Sequence, residues 1–177
     1  LDRNVEEVSG YICGKRVLVS GAGGSIGSEM CRQISRLAPS ELIMLDRDES
    51  ALHAVEMSIH GRSLLDTEET VLADIRDADT LTDIFMTRRP DVVFHAAALK
   101  HLTLLERFPD EAFKTNVIGT WNVLQACEKA EVSVVVNVSS DKAANPTSVL
   151  GYSKRVAERL TAEVGLRPSP NRYLSVR

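Results

Sequence analysis

Residues 17–29 read VLVSGAGGSIGSE, an apolar run that passes through Ser20-Gly21-Ala22-Gly23-Gly24-Ser25-Ile26-Gly27 into a segment of helical period. Glycines at 21, 24 and 27 thus lie directly between a strand and a helix. Without a Cβ they permit a tight turn, let backbone approach a pyrophosphate and let the helix pack close to the sheet. The first free amides of that helix, at Ser25, Ile26 and Gly27, then face the phosphates. The placement between strand and helix separates this loop from a ligand-free glycine connection. A Walker-type nucleotide loop is disfavoured, because no lysine follows the last glycine.

Working outward, the second apolar run ends Leu45-Asp46-Arg47-Asp48, with Asp46 about 25 residues after Gly21, where a carboxylate accepts hydrogen bonds from adenosine ribose hydroxyls. That favours NAD over NADP. Arg47 argues the other way, since a guanidinium there meets a 2′-phosphate, and the bland alternative for Asp46 is a helix cap. Asp74-Ile75 after the third run and Ala96-Ala97-Ala98 after the fourth suit an adenine edge and a close cofactor approach, or plain packing.

Six such runs alternate with helical segments: RVLVS (16–20), ELIML (41–45), TVLAD (70–74), DVVFH (91–95), VSVVVNVS (132–139) and RYLSV (172–176). Their continuous apolarity predicts strands buried on both faces. Between them, Ile26, Met30, Ile34 and Leu37 share a helical face, as do Leu52, Val55 and Ile59; Leu81, Ile84, Phe85 and the stem of Arg88; and Phe113, Val117, Trp121 and Leu124. Asp77 is placed to cap the third helix, and Pro109 with Asp110 and Glu111 opens the fourth. Strand and helix in alternation require a parallel sheet with right-handed crossovers. The expected fold is α/β: a doubly wound, Rossmann-like sheet of order 3-2-1-4-5-6. Residues 1–13 read as a linker or packing arm and 14–177 as the NAD(P)-binding domain. With the sixth strand at the end of the chain and nothing left for a substrate-capping domain, the sequence reads as a domain excised from something longer.

A chain of 177 residues, 44% of them hydrophobic, encloses one sizeable core. A formal net charge of -4 argues against a nucleic-acid partner, which requires a basic face. The three cysteines, Cys13, Cys31 and Cys127, lack metal-ligand spacing and read as reduced core residues of a cytosolic protein. His95 and His101 have no second pair of ligands, so no metal is expected. No apolar run approaches the ~20 residues that span a bilayer, and no signal-peptide pattern opens the chain.

Residues 139–154, SSDKAANPTSVLGYSK, hold the remaining chemistry. Asp141 beside Lys142 is by itself a turn-forming pair, but the carboxyl end of strand five lies on the ligand-binding edge of such a sheet. A carboxyl and an amine side by side perturb each other's pKa, which is expected to provide a proton donor and acceptor near neutral pH. Lys154 alone reads as a solvated helix lysine paired with Glu158 one turn on. Asn116 either braces the fourth helix against strand four or orders a water.

With VLVSGAGGSIGSE, LDRDESAL, LADIRD, FHAAALKH, KTNVIGTWNVL and SSDKAANPTSVLGYSKRVAE in this order, the chain resembles the extended short-chain dehydrogenase/reductases. It is most similar to their CapD-like branch of nucleotide-sugar 4,6-dehydratases of bacterial polysaccharide and glycan biosynthesis. The resemblance implies an NAD(P)-dependent lyase acting on UDP-N-acetylglucosamine or a related UDP-sugar: oxidation at C4, loss of water across C5 and C6, and return of the hydride to C6. It implies that Asp141 and Lys142 are the acid and base of elimination, Ser140 sits at the oxidised hydroxyl, Lys154 holds the nicotinamide ribose, and Lys100 and His101 face substrate. It further implies helix-paired self-association and a parent protein anchored at the cytoplasmic face of a membrane, with this fragment itself cytoplasmic and free of membrane contact.

Most of that superfamily places a tyrosine one helical turn before the lysine, where the ammonium lowers its pKa. Here that slot is Leu150. Tyr152 stands two positions from Lys154, about 200° around the helix, and is expected to point away from it. A tyrosine-independent elimination follows as the first reading. Its rivals are a 4-epimerase of the same fold and a dinucleotide-binding module without chemistry.

Overall fold

Val17, Leu18 and Val19 are fully buried because strand β1 (Arg16–Ser20) has a strand on each side and helices over both faces. The computed structural model describes residues 9–177; residues 1–8 of the expected arm lie outside them. β1, β2 (Glu41–Asp46), β3 (Thr70–Leu72), β4 (Val92–His95), β5 (Val134–Val138) and β6 (Arg172–Val176) form one parallel sheet in the order β3-β2-β1-β4-β5-β6, as expected. Ser20 pairs with Leu45 on one side and His95 on the other, so the strand ends that carry the loops stand level. Chain order reverses at β1, which opens a crevice at the carboxyl ends of β1 and β4.

Successive strand residues point to opposite faces, and the two faces have separate cores. Leu81 and Phe85 of α3 (Ala78–Arg88), with Leu124 and Cys127 of α6 (Thr120–Lys129), cover Leu18, Leu45, Val93 and Val135. Cys31 and Ile34 of α1 (Ser25–Ser35) and Leu52 and Val55 of α2 (Glu49–His60) cover Val17, Val19 and Met44, joined by Ile12 from a helical turn at residues 9–12. Asp77 caps α3 by accepting from the Thr80 amide. After β4 come α4 (Leu102–Arg107) and α5 (Pro109–Ala112), the latter opened by Pro109 with Asp110 and Glu111 in its first turn. The helix then widens into a π-helical stretch, Phe113–Gly119, before α6. A 3₁₀ turn, Asp141–Ala143, follows β5 and leads to α7 (Val149–Gly165).

Four expectations fail for local reasons. β3 and β6 have one neighbour each, and Leu72, Leu174 and Val176 are exposed, so these strands are not buried on both faces. Ile26, in the first turn of α1 beyond the strand ends, is exposed. Phe113 is exposed where the helix changes from α to π period, which takes it out of step with Val117 and Leu124. Cys13 is exposed rather than in the core, since it follows the helical turn, whereas Cys31 and Cys127 are buried.

Candidate functional site

Gly24 stands at the N-cap of α1 with no side chain to cap it, and the first turn has no acidic residue. The amides of Ser25, Ile26 and Gly27 therefore have no i−4 carbonyl, and the helix end is suited to an anion. Gly21 has φ +75, and a Cβ on it would lie 2.4 Å from the Ala97 nitrogen; one on Gly27 would lie 2.0 Å from the Gly21 oxygen. Gly23 was missed by the three-residue spacing. Its Cβ would meet that of Ala51 at 2.3 Å, and its amide donates to Asp46 Oδ2 at 2.9 Å. The carboxylate closing β2 thus buttresses the loop. Asp46 Oδ1 also accepts from the Asp48 amide, and Asp48, not Asp46, caps α2.

A cavity of about 270 Å³ opens at this switch point. It is lined by Gly21 and Gly24 after β1, Asp46 and Arg47 at the end of β2, Asp74 and Ile75 after β3, and Ala96, Ala97 and Ala98 after β4. Arg47 lies 3.8 Å from Asp74, which is also held by Arg76 at 2.6 Å. Arg76 first, then Arg47, keeps the Asp74 carboxyl below the usual carboxylate range. Thr115, also missed, lines the wall at 6% exposure with no hydrogen-bond partner for its hydroxyl. Leaving a buried hydroxyl unpaired costs about 1–3 kcal/mol, but the Thr115 oxygen itself has no surface open to the cavity. Glycines whose Cβ positions are occupied, an uncapped helix end and a carboxylate together fit the adenosine diphosphate half of a dinucleotide.

The side chains of Ser25 and Ile26 do not enter this cavity; they line an apolar groove with Met30 and Phe94, leaving their amides as the groups that can face a phosphate. Gly27 is packed against Gly21. Lys100 donates to Ser25 Oγ at 3.1 Å, and exposed His101 opens α4 without a side-chain cap bond. Asn116 is a brace: it accepts from the Leu99 amide and donates to the Leu99 carbonyl and to Ser153 Oγ, tying the π-helical stretch to the loop after β4 and to α7.

Ser140, Asp141 and Lys142 lie outside the cavity lining, at the end of β5. Ser140 Oγ donates to Asp141 Oδ1 at 2.9 Å and accepts from the Lys142 amide, and Lys142 Nζ stands 3.3 Å from the same carboxylate. The Asp141 side chain is 87% exposed, and the Ser140 hydroxyl, then Lys142, holds its carboxyl below the usual range. The expected near-neutral proton donor is therefore absent from this open arrangement, because every neighbour stabilises the carboxylate.

α7 runs unbroken through Gly151, whose missing Cβ leaves room for the Lys142 carbonyl at 2.6 Å. Tyr152 is 58% exposed, and Leu150 is buried beside Leu105 and Ala112. Lys154 is only 9% exposed and donates to the Val138 carbonyl at 2.9 Å. It is not a solvated partner of Glu158, which is held instead by Arg177 at 2.8 Å and Arg155 at 3.5 Å. Burial draws the Lys154 pKa from 10.5 to about 8, against an opposing pull from Glu158.

A parallel sheet of this order, with a glycine loop at the switch point and a carboxylate closing β2, defines a Rossmann-like dinucleotide-fold domain. Within that class the chain belongs to the polysaccharide biosynthesis protein family, whose model matches residues 17–177. It is 43% identical to the probable polysaccharide biosynthesis protein EpsC of Bacillus subtilis (strain 168), over 98% of this chain and 29% of that protein. It is 34% identical to the UDP-N-acetylglucosamine 4,6-dehydratase (inverting) of Campylobacter jejuni (strain 81-176), over 83% of this chain and 42% of that one. Among solved structures, the UDP-glucose-4-epimerase (galE) from Stenotrophomonas maltophila with bound NAD and formylated UDP-arabinopyranose matches with a TM-score of 0.80 at 25% identity, over 92% of this chain and 52% of that chain. The chain thus spans about half or less of the length of these proteins. No helix among the described residues is long and apolar enough to cross a membrane.

Proposed function

We propose that this chain is the NAD-binding portion of a nucleotide-sugar 4,6-dehydratase acting on a UDP-N-acetylhexosamine. NAD, when bound, supplies the reversible hydride acceptance that a redox-neutral dehydration needs. The protein's part begins with the α1 amides and the glycine loop, which receive the diphosphate, while Asp46 accepts from the adenosine ribose hydroxyls and Lys154 holds the second ribose. Ser140 places its hydroxyl at the sugar C4 oxygen. The C4 hydroxyl proton passes through the Ser140 hydroxyl to the Asp141 carboxylate, which delivers it to the departing C6 hydroxyl as water leaves, while Lys142 takes the C5 proton and gives it back to C5 as the hydride returns to C6.

The carrying observation is the pairing of a buried Lys154 with Leu150, not tyrosine, one turn before it, beside an acid–amine turn at the end of β5. A 4-epimerase needs a base at the C4 hydroxyl but no second pair for elimination. Asp141 can hold the C4 hydroxyl proton until the C6 hydroxyl departs once sugar and protein cover it, because desolvation raises a carboxyl pKa. The similarity to epimerases as well as dehydratases supports the common nucleotide-sugar chemistry and leaves the product as the test. With UDP-N-acetylglucosamine and the full-length polypeptide carrying this domain, mass spectrometry should show a nucleotide sugar lighter by one water. A product of unchanged mass with inverted C4 would establish epimerisation instead. The 177-residue chain alone, with Asp141 open to solvent, is expected to bind NAD and turn over little or nothing; robust turnover would remove the argument from exposure.

A further inference from the structure

Ser20, His95 and Thr120 are buried polar residues that close β1, close β4 and open α6. Ser20 Oγ lies 2.7 Å from His95 Nδ1, His95 Nε2 lies 2.9 Å from Thr120 Oγ1, and Thr120 Oγ1 lies 2.8 Å from the Asn116 carbonyl oxygen. Counting hydrogens fixes the order of donors. A carbonyl only accepts, so the single hydroxyl hydrogen of Thr120 goes to Asn116. Thr120 Oγ1 must then accept from a hydrogen on Nε2. At 2% exposure, and with the Lys154 charge nearby, the imidazole is held neutral, its pKa pushed down to about 3. Nδ1 is consequently bare, and Ser20 donates to it.

The far end of this chain lies in the π-helical stretch. Thr120's backbone amide bonds the Val117 carbonyl rather than the Asn116 carbonyl that an α-helical i−4 bond would give it, and its hydroxyl serves Asn116 instead. On that stretch stand Thr115, which lines the cavity, and Asn116, whose side chain fixes Leu99 and Ser153. The near end is the root of the glycine loop, where the Ser20 carbonyl accepts from the Ala96 amide and Gly21 meets Ala97.

We propose that His95 is a positioning residue: as the Nε2–H tautomer it clamps Ser20 to Thr120, keeps the π-helical stretch in register with the glycine loop, and so sets dinucleotide affinity without touching the dinucleotide. The proposal rests on the dinucleotide reading of the cavity. Two measurements test it on the 177-residue chain. Long-range ¹H–¹⁵N NMR should show His95 as the Nε2–H tautomer with no titration across the neutral range; an Nδ1–H tautomer or a midpoint near neutral pH would overturn it. In parallel, NAD affinity and melting temperature are compared in H95Q, which keeps a donor toward Thr120, H95N, which keeps only the Ser20 side, and T120V. H95Q should stay within about threefold of the parent, whereas H95N and T120V should each weaken NAD by about tenfold, with the double variant no worse than either because both cut one chain. Unchanged affinity in folded H95N and T120V would overturn the proposal, as would independent, additive losses. Should the variants fail to fold, the tautomer of the parent chain decides. A parent that binds no dinucleotide would sink the cofactor reading and the effect on affinity with it, while an Nε2–H result would still show the clamp.

Discussion

Lys154 is one of the groups that set the pH dependence of this fold, beside His95 and the buried thiols of Cys31 and Cys127. Its pKa falls from 10.5 to about 8 through burial, so between those values the unfolded chain holds a proton that the folded chain has released. Its contribution to stability therefore rises with pH through that window, the full cost of burying the cation being present below about 8, whereas the Cys31 and Cys127 thiols, pushed up by burial, lower stability as pH rises past their ordinary range. Compared with the parent, Lys154→Met should lose the rising part of the pH dependence of stability over the window, a change on the order of 3 kcal/mol; a parent–variant difference that does not vary with pH would contradict the burial. Asp46 is the residue we propose to set cofactor choice. With one oxygen on the Gly23 amide and the other on that of Asp48, the carboxylate is fixed in place with lone pairs left for ribose hydroxyls. NAD should bind ahead of NADP, and Asp46→Ala should narrow the gap by weakening NAD about tenfold, the loss expected for hydrogen bonds to a charged group. Equal affinities in the unaltered protein, measured by titration calorimetry, would assign the choice to Arg47 instead.

Among the elements, α7 and the turn after β5 depend on one glycine. Gly151→Ala raises helix propensity by about 1 kcal/mol, yet the new methyl would lie 2.6 Å from the Lys142 carbonyl, a backbone atom that cannot rotate away. The clash wins: a net loss of about 1–3 kcal/mol is expected in denaturant unfolding, with altered amide shifts at Asp141 and Lys142. A neutral or stabilising result would mean that the turn is free to move. The π-helical stretch shows the converse case, in which hydrogen-bond period and not side-chain size sets the geometry. Its apolar spacing reads as ordinary helix, so the sequence shows a helix there and hides Thr115 on the cavity wall.

At the scale of the whole molecule, ligand and fold are linked. If the cavity takes NAD, then at a hundredfold excess over its dissociation constant the fold should gain about 2.7 kcal/mol, raising the melting temperature by roughly 5–10 °C for a chain of this size. No shift at any accessible concentration would remove the cofactor from the proposal. The sheet order and its loop were legible in advance, since apolar runs, glycines at a strand–helix junction and caps such as Asp77 act over a few residues. Tyr152 facing outward was legible for the same reason, being a matter of helical angle. Gly23 was not, because its constraint is the Cβ of Ala51 on another helix. Nor was the state of Lys154: local spacing offers it Glu158, but Arg177 from β6's end takes that carboxylate and leaves the lysine to a strand carbonyl. What sequence alone determined are features whose cause lies within one turn or one strand, namely the elements, their order and the glycine loop. The burial of Lys154, the place of Thr115 on the cavity wall and the partners of His95 were decided only by the tertiary structure, because burial and these hydrogen bonds come from residues distant in the chain.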